Sequence, residues 1–245
     1  MGLISALNNS ISGLNVNQQN LDVLSQNVAN ANTPNYSNEV VNQQAAFIGG
    51  AGAGVDVASI TRTVNNFLNA EARAQTSVNG AATAVQGYYT DIENLLGQPG
   101  GTNSIDQGID SFFTALQNMA NSPSDEAETN AVNTGANVAT QISGLASSLY
   151  GLQLQSDSDI SSAVNSVNSD LTTLQAVNRA LEQAAATNQS TAGLLDKRDA
   201  ALSDISQYID INPTYQEDGE VTVSTASGTT LLTPNSLSQL FNNKN

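Results

Sequence analysis

Apolar side chains recur in alternating three- and four-residue steps over the first thirty residues. The six that form this stripe are Ile4, Leu7, Ile11, Leu14, Leu21 and Val28. The same stripe passes through Gln18 and Ser25, so one row of it turns polar halfway along. Steps that average 3.5 residues keep side chains in line on a slightly underwound helix, which is typical of a coiled-coil seam. The pattern predicts a helix over about residues 3–31 whose seam contacts other helices.

The remaining faces of this predicted helix are almost uncharged. Asp22 is its only charged side chain, and its other polar residues are Asn, Gln and Ser. A helix that faces water usually carries charged side chains on its outer face. The sequence shows no partner for this helix nearby, and ordering thirty residues costs on the order of 30–60 kcal/mol. We therefore expect residues 1–35 to be disordered in the dilute chain until other helices enclose them.

Further amphipathic patterns predict that most of the remaining chain is helical. The predicted helices cover roughly residues 63–98, 104–120, 124–182 and 191–208. Asn103 or Ser104 is expected to cap the shorter one. The longest begins with three acids in its first turn, where the helix dipole favours negative charge, and is either continuous or bent near Ser156.

Two regions depart from helical periodicity. Residues 32–54 read as a loop, polar to about Gln44 and then rich in glycine, followed by one short extended piece at 55–60. Beyond Pro213, polar and apolar side chains alternate over residues 220–224, and a turn sequence lies on each side of this segment. Residues 229–232 follow the second turn, which predicts a β-hairpin. The expected fold is mainly α, with long antiparallel helices in a coiled-coil-like bundle and a small C-terminal β-hairpin.

Three domains are expected along the chain. Residues 1–60 hold the terminal helix, a turn at Asn32–Tyr36 and the glycine-rich connector, and residues 61–210 form a helical rod domain. Residues 211–245 hold the hairpin, which we expect to begin an outer or incomplete domain.

Composition excludes several classes of function. The net charge is −16, with only six basic residues in 245, so clustered cations for nucleic acid or an anionic membrane surface are missing. Cys and His are both absent, which excludes disulfides, thiolate nucleophiles and Cys or His metal sites. No signal-peptide pattern and no apolar run of about 20 residues is found. We expect no cofactor and no bound metal.

Other candidate sites have simpler interpretations. Gly49–Gly54 lacks the Lys and Ser or Thr of a phosphate loop and is predicted to be a flexible connector. Asp157 and Asp159 start a calcium-loop pattern that does not continue. The acids are scattered without an aromatic sugar platform, so we do not expect an enzyme. The charged run Asp196–Asp199 is predicted to be a solvated helix face.

Three segments of the sequence carry a family resemblance. The first contains Leu14, Leu21-Asp22-Val23 and the run from Asn27 to Ser37, and it resembles the N-terminal signature of bacterial flagellar rod, hook and junction proteins. Its turn motif is Ala31, Asn32, Thr33, Pro34 and Tyr36, with Asn35 where Gly is frequent. The second is Gly54–Val57 with Ile60, Arg62, Phe67-Leu68 and Arg73. The third is Leu194–Asp199. The last two are similar to the hook-associated protein 1 family, N-terminal part.

This resemblance implies a structural subunit of the bacterial flagellum at the hook–filament junction, assembled through helical contacts of the terminal segment. The implied partners are copies of the chain, the hook protein, the next junction protein and an export chaperone, with no nucleic acid and no membrane. The implied location is extracellular, reached by flagellar export without a cleaved signal peptide. In the family a second terminal helix pairs with the first, so we expect this chain to offer half of a coiled coil. The alternatives are another axial flagellar protein of the hook or distal rod, or a secreted coiled-coil adhesin or translocator.

Overall fold

The computed structural model describes residues 2–102, 104–187 and 189–242. The helices within these residues are α1 (Leu3–Ala29), α2 (Asn66–Leu96), α3 (Ile105–Asn121), α4 (Asp125–Ala186) and α5 (Ala192–Ser206). The strands are β1 (Glu39–Ile48), β2 (Ala51–Arg62), β3 (Ile211–Tyr215), β4 (Val221–Thr225), β5 (Thr230–Thr233) and β6 (Ser236–Leu237). Met1, Asn103, Asn188 and residues 243–245 lie outside the described residues. Ser104 is the N-cap of α3. The predicted mainly α fold is confirmed.

Helix α4 is one uninterrupted element of 62 residues. Of the two predicted possibilities, a continuous helix or a bend near Ser156, the continuous helix is therefore confirmed. It begins directly after Ser124, whose hydroxyl oxygen accepts the backbone N–H of Ala127 at 3.2 Å. Three acids occupy its first turn, as expected from the helix dipole. The described residues contain no helix that is both long enough and apolar enough to cross a membrane.

The chain divides into two compact units, and the first comprises residues 1–78 and 165–241. Its hydrophobic core joins the C-terminal part of α4, helix α5 and the strands β3–β6. The buried residues of this core are Val167, Leu171, Leu174, Ala201, Leu202, Ile205, Ile211, Val221, Val223, Leu231 and Leu232. The predicted hairpin is confirmed as β4 and β5, and it belongs to a four-stranded antiparallel sheet in the order β3-β4-β5-β6. Two strands alone are marginally stable, and the larger sheet with its helical backing supplies the missing burial.

Two asparagines of α4 fasten extended backbone to the helix. The Asn178 side chain donates to the carbonyl oxygen of Val221 at 2.8 Å and accepts its N–H at 3.0 Å. Asn168 makes the same pair of bonds with Leu240, donating to its carbonyl oxygen at 2.9 Å and accepting its N–H at 2.8 Å. A side-chain amide carries both a donor and an acceptor, so one asparagine satisfies both backbone groups of a residue.

The second unit contains residues 79–164. Ala115 of α3 and Ala131 of α4 are buried in it. Gly135 lies against the Phe112 ring, where a Cβ atom would approach ring carbon Cε2 to 2.9 Å. Small residues on α4 therefore let the Phe112 ring of α3 pack closely onto its backbone.

The segment after α1 differs from its prediction. Residues 39–62 form the antiparallel hairpin β1-β2, paired from Glu39 with Arg62 to Ile48 with Ala51. The loop and connector predicted over residues 39–54 are therefore wrong, whereas the extended piece predicted at residues 55–60 is confirmed as part of β2. Gly49 and Gly50 form its two-residue turn, with φ of +60° and +82°. Such turns match the twist of the flanking strands and favour glycine. Strand β1 and the start of β2 were missed because Asn, Gln, Ala and Gly obscure the apolar alternation on which the prediction relied.

Helix α1 packs on this hairpin. Val16 and Val23, seven residues apart, are its buried residues, at 5% and 6% exposure. The Ser12 hydroxyl accepts the backbone N–H of Val55 at 3.2 Å. The expectation that α1 lacks a partner close in the sequence is therefore wrong, and the hairpin supplies burial for one of its faces.

We predict that Gly54→Ala loosens the hairpin from α1. Gly54 has a φ of +107°, and a Cβ atom there would collide with the Ser12 hydroxyl. Backbone strain of this kind costs about 1–3 kcal/mol. The measurement is limited proteolysis within residues 39–62 together with urea unfolding. Gly52→Ala is the matched control, because its Cβ atom would meet open space. Equal protease resistance and equal stability of the two variants would contradict the prediction.

Candidate functional site

The predicted turn motif lies directly after α1. The N–H of Thr33 donates to the carbonyl oxygen of Asn30 at 2.8 Å, and Tyr36 N–H to that of Thr33 at 3.3 Å. Asn35 has a φ of +62°, the left-handed conformation that asparagine tolerates. The other motif residues, Ala31, Asn32 and Pro34, are exposed. The motif reverses the chain so that β1 can return along α1.

Asn27 of α1 holds this turn and the hairpin base together. Its side chain donates to the carbonyl oxygen of Glu39 at 2.8 Å and accepts the Glu39 N–H at 2.9 Å. The same oxygen also accepts the hydroxyl of Tyr36 at 2.9 Å. Asn27 and Tyr36 belong to the family signature. Their role in binding the base of the hairpin was not predicted, because the sequence alone did not predict β1.

Arg62, at the end of β2, connects the hairpin to α5. Its two terminal nitrogens reach Asp196 at 2.5 Å and Asp199 at 2.9 Å, and its side chain is 4% exposed. The second oxygen of Asp196 accepts the N–H of Ser37 at 3.2 Å. The predicted solvated helix face is therefore wrong for Asp196 and Arg198, which are buried, whereas Lys197 is exposed. Two acids three residues apart lie on the same helix face and can bind one guanidinium.

Arg198 extends these ion pairs to the four-stranded sheet. Its Nε and Nη2 donate to one oxygen of Asp199 at 2.9 and 2.8 Å, and Nη1 donates to the carbonyl oxygen of Gly219 at 2.8 Å. The guanidinium stands 4.5 Å from the centre of the Tyr215 ring. The Tyr215 hydroxyl in turn accepts a hydrogen bond from Arg73 at 3.1 Å. We call the set of Arg62, Arg73, Asp196, Arg198, Asp199 and Tyr215 the Arg62 network.

The network shapes the electrostatics of the turn. Desolvation, followed by the negative charge of Asp196, raises the pKa of Glu39, and Arg62 opposes that shift. Desolvation, Glu39 and Asp196 likewise raise the pKa of the Tyr36 hydroxyl. As pH rises above the ordinary carboxyl pKa, the folded chain retains a proton at Glu39 that the unfolded chain has lost. The contribution of Glu39 to stability therefore falls as pH rises through its raised pKa.

The six predicted assembly residues lie on the opposite side of α1 from the hairpin. Ile4, Leu7, Ile11, Leu14, Leu21 and Val28 are 47–76% exposed. At 3.6 residues per turn, they fall about half a turn away from Val16 and Val23. The structure therefore brings the six together as one exposed seam.

The described residues hold no group of three or more acidic side chains placed to bind a metal ion. The arrangement consists of a hairpin-backed helix, a buried ionic network and an exposed apolar seam. Such an arrangement orders α1 and exposes its apolar seam to solvent.

Comparison with known proteins identifies the family. A profile described as the flagellar hook-associated protein FlgK helical domain matches residues 89–245, well over half of the chain. The chain belongs to the flagellar hook-associated protein FlgK family. A second profile, the flagella basal body rod protein, matches residues 7–36, which hold the seam and the turn motif.

Individual relatives agree with the FlgK family. Flagellar hook-associated protein 1 of Bacillus subtilis is 27% identical over 88% of this chain, and that of Escherichia coli is 25% identical over 96%. The chain spans 45% and 44% of their respective lengths. The solved flagellar hook junction protein FlgK from Burkholderia pseudomallei is similar over 71% of this chain and 30% of its own, with 28% identity and a TM-score of 0.58. The resemblance inferred from the sequence is confirmed.

The three segments that carried the FlgK resemblance meet at the Arg62 network. Ser37 closes the first, Arg62 and Arg73 belong to the second, and Asp196 to Asp199 form the third. Tyr215 joins them from a region that carried no signal, since a lone tyrosine in a strand usually indicates only packing. The family that the comparisons identify is a structural component of the flagellum.

We predict that Arg62→Met destabilises the chain by roughly 3–5 kcal/mol, because it leaves two partly buried carboxylates without their cation. The measurement is urea unfolding followed by circular dichroism. Lys197→Met is the matched control, since it removes a cation from the same motif at an exposed position and should change stability by about 0.5 kcal/mol or less. Indistinguishable unfolding of the two variants would show that the network contributes nothing.

Proposed function

We propose that this chain is a structural subunit of the bacterial flagellum that acts as an adaptor at the hook–filament junction. The observation that carries the proposal is an ordered helix with an unoccupied apolar seam, in a member of the FlgK family. Helix α1 is apolar on two opposite faces, and the hairpin covers only one of these faces. The other face is available to contact a partner.

The energy available at the seam is large enough for assembly. Burying six such side chains gives roughly 9–18 kcal/mol in gross terms. Because the hairpin already backs α1, less ordering entropy opposes the contact than for a disordered segment. Identical head-to-tail contacts between subunits generate an open helical array, which is the symmetry of an axial tube.

The partners that we propose are copies of the chain, the hook protein and the next junction protein, with an export chaperone before assembly. We place the protein outside the cell, in the flagellum, exported without a cleaved signal peptide. The support is the family membership. A contact with nucleic acid or with a membrane is disfavoured by the net charge of −16.

We infer that the chain is not an enzyme. It has no Cys and no His, the residues that most often serve as nucleophile and general base near neutral pH. The distinctive side chains of the Arg62 network are committed to one another in ion pairs and hydrogen bonds. Their role is to hold segments of the fold together.

We predict that Leu14→Asp combined with Leu21→Asp abolishes incorporation into the flagellum without unfolding the chain. Both side chains are exposed in the monomer, so new carboxylates are tolerated there. In a packed seam each would be a buried, unpaired charge costing several kcal/mol. An epitope-tagged chain produced in flagellated host cells should be found by immuno-electron microscopy between hook and filament, and the double variant should not.

Gln19→Asp is the matched control for this experiment, because it adds one carboxylate to an exposed position of α1 away from the seam. It should be incorporated normally. Label at the junction with the double variant would refute the seam, and absence of the unmodified chain from the junction would refute the proposed function.

A further inference from the structure

The tip of the hairpin exposes two large apolar side chains. Phe47 is 69% and Ile48 77% exposed, and both stand directly before the turn at Gly49-Gly50. Phe47 pairs with Gly52 and Ile48 with Ala51, beyond a register shift that follows Ala45, and as successive strand residues the two point to opposite faces. The tip is therefore apolar on both faces, and Gly52, opposite Phe47, has no side chain to shield it.

The tip lies towards the N-terminal end of α1. The hairpin is fastened to α1 by Asn27 at its base and by Ser12 next to Gly54, so it runs back along the helix. The turn lies about five residues beyond Gly54, which places it towards the first turns of α1. Leu3 and Ile4 in those turns are also exposed. The tip and these exposed residues of α1 therefore lie towards the same end of the segment, although the hairpin packs on the side of α1 opposite to the seam.

The distribution of charge indicates what covers this surface. Only Asp22, Glu39 and Asp56 are charged among the first 60 residues, although the chain holds 22 acids and six bases. The later residues carry most of the net charge of −16, and a cationic partner would bind there. Two copies of so acidic a chain repel one another except where they meet through weakly charged segments. Residues 2–61 form such a segment.

We propose that the hairpin tip is a second self-assembly contact, in which Phe47 and Ile48 pack against residues 2–61 of a neighbouring copy. This contact rests on the proposed function and adds to it, because the seam alone allows subunits to slide along a helix. A tip that packs against a neighbouring copy adds a second point of contact, and two separate contacts fix the axial position of each subunit.

The contact can be probed with a photo-reactive residue at the tip, because the chain has no cysteine for thiol cross-linking and no tryptophan for fluorescence. Phe47 is replaced by benzoylphenylalanine in an equal mixture of ¹⁴N- and ¹⁵N-labelled chain at high concentration in 1 M salt, which screens repulsion between copies. Irradiation should give mixed-isotope adducts whose acceptor peptides lie within residues 2–61. Adducts that are exclusively intramolecular, or acceptors exclusively beyond residue 62, would overturn the proposal.

Association measured by sedimentation gives the second readout. Phe47→Ser with Ile48→Ser should weaken self-association about tenfold or more, which corresponds to the loss of roughly 1.4 kcal/mol or more of apolar burial. Val132→Ser with Tyr150→Ser, which removes two exposed apolar side chains of α4, is the control and should leave association unchanged.

The outcomes separate the tip from the seam. If Leu14→Asp with Leu21→Asp prevents association and the tip variant does not, the tip proposal fails while the proposed function stands. If the unmodified chain does not associate at all, both fail. Flotation of the chain with phosphatidylcholine vesicles that is lost in the tip variant would assign the tip to a membrane and overturn the contact with a second copy.

Discussion

The interaction on which the rest depends is the bond of one guanidinium, Arg62, to two carboxylates of α5. Removing these charges from water is unfavourable, and the fold compensates with paired geometry and with a backbone N–H on Asp196. Because Arg62 ends β2, these bonds position the base of the hairpin. The hairpin positions α1 through Asn27 and Ser12. The buried ion pairs of Arg62 therefore determine, through the hairpin, where the exposed face of α1 lies.

This arrangement explains how a terminal helix can be ordered and still be available for assembly. A helix with a single apolar face must either bury it internally or present it to a partner. Here Val16 and Val23 bury one face on the hairpin, and Leu14 and Leu21 stand on the other. An isolated seam helix would bear its whole ordering cost at the moment of assembly. Because α1 packs on the hairpin, much of the entropy of ordering this helix is lost when the monomer folds and not when subunits assemble.

The sequence predicted the helices and the C-terminal strands because both follow from strong periodicity and clear turn residues. It predicted only residues 55–60 of β2 as extended and missed the pairing with β1, because a segment such as Asn42–Ala46 has little apolar alternation and packs as a strand through its contacts with β2 and α1. The same omission made α1 appear to lack a partner. The run Asp196–Asp199 looked like a charged surface because its cations and acids balance locally, whereas Asp196 and Asp199 are in fact paired with Arg62 from a distant strand. Interactions between residues more than 130 positions apart leave no local pattern to detect.

The most direct test of this account is amide hydrogen exchange in the dilute, verified monomer. If the Arg62 network fixes the base of the hairpin to α5 and the hairpin in turn orders α1, amides of residues 16–27 and of β1 and β2 should exchange slowly. Arg62→Met should then speed their exchange while the amides of β4 and β5 stay protected. Complete exchange of residues 16–27 within seconds in the unmodified monomer would contradict it, because α1 would then be ordered only by other subunits.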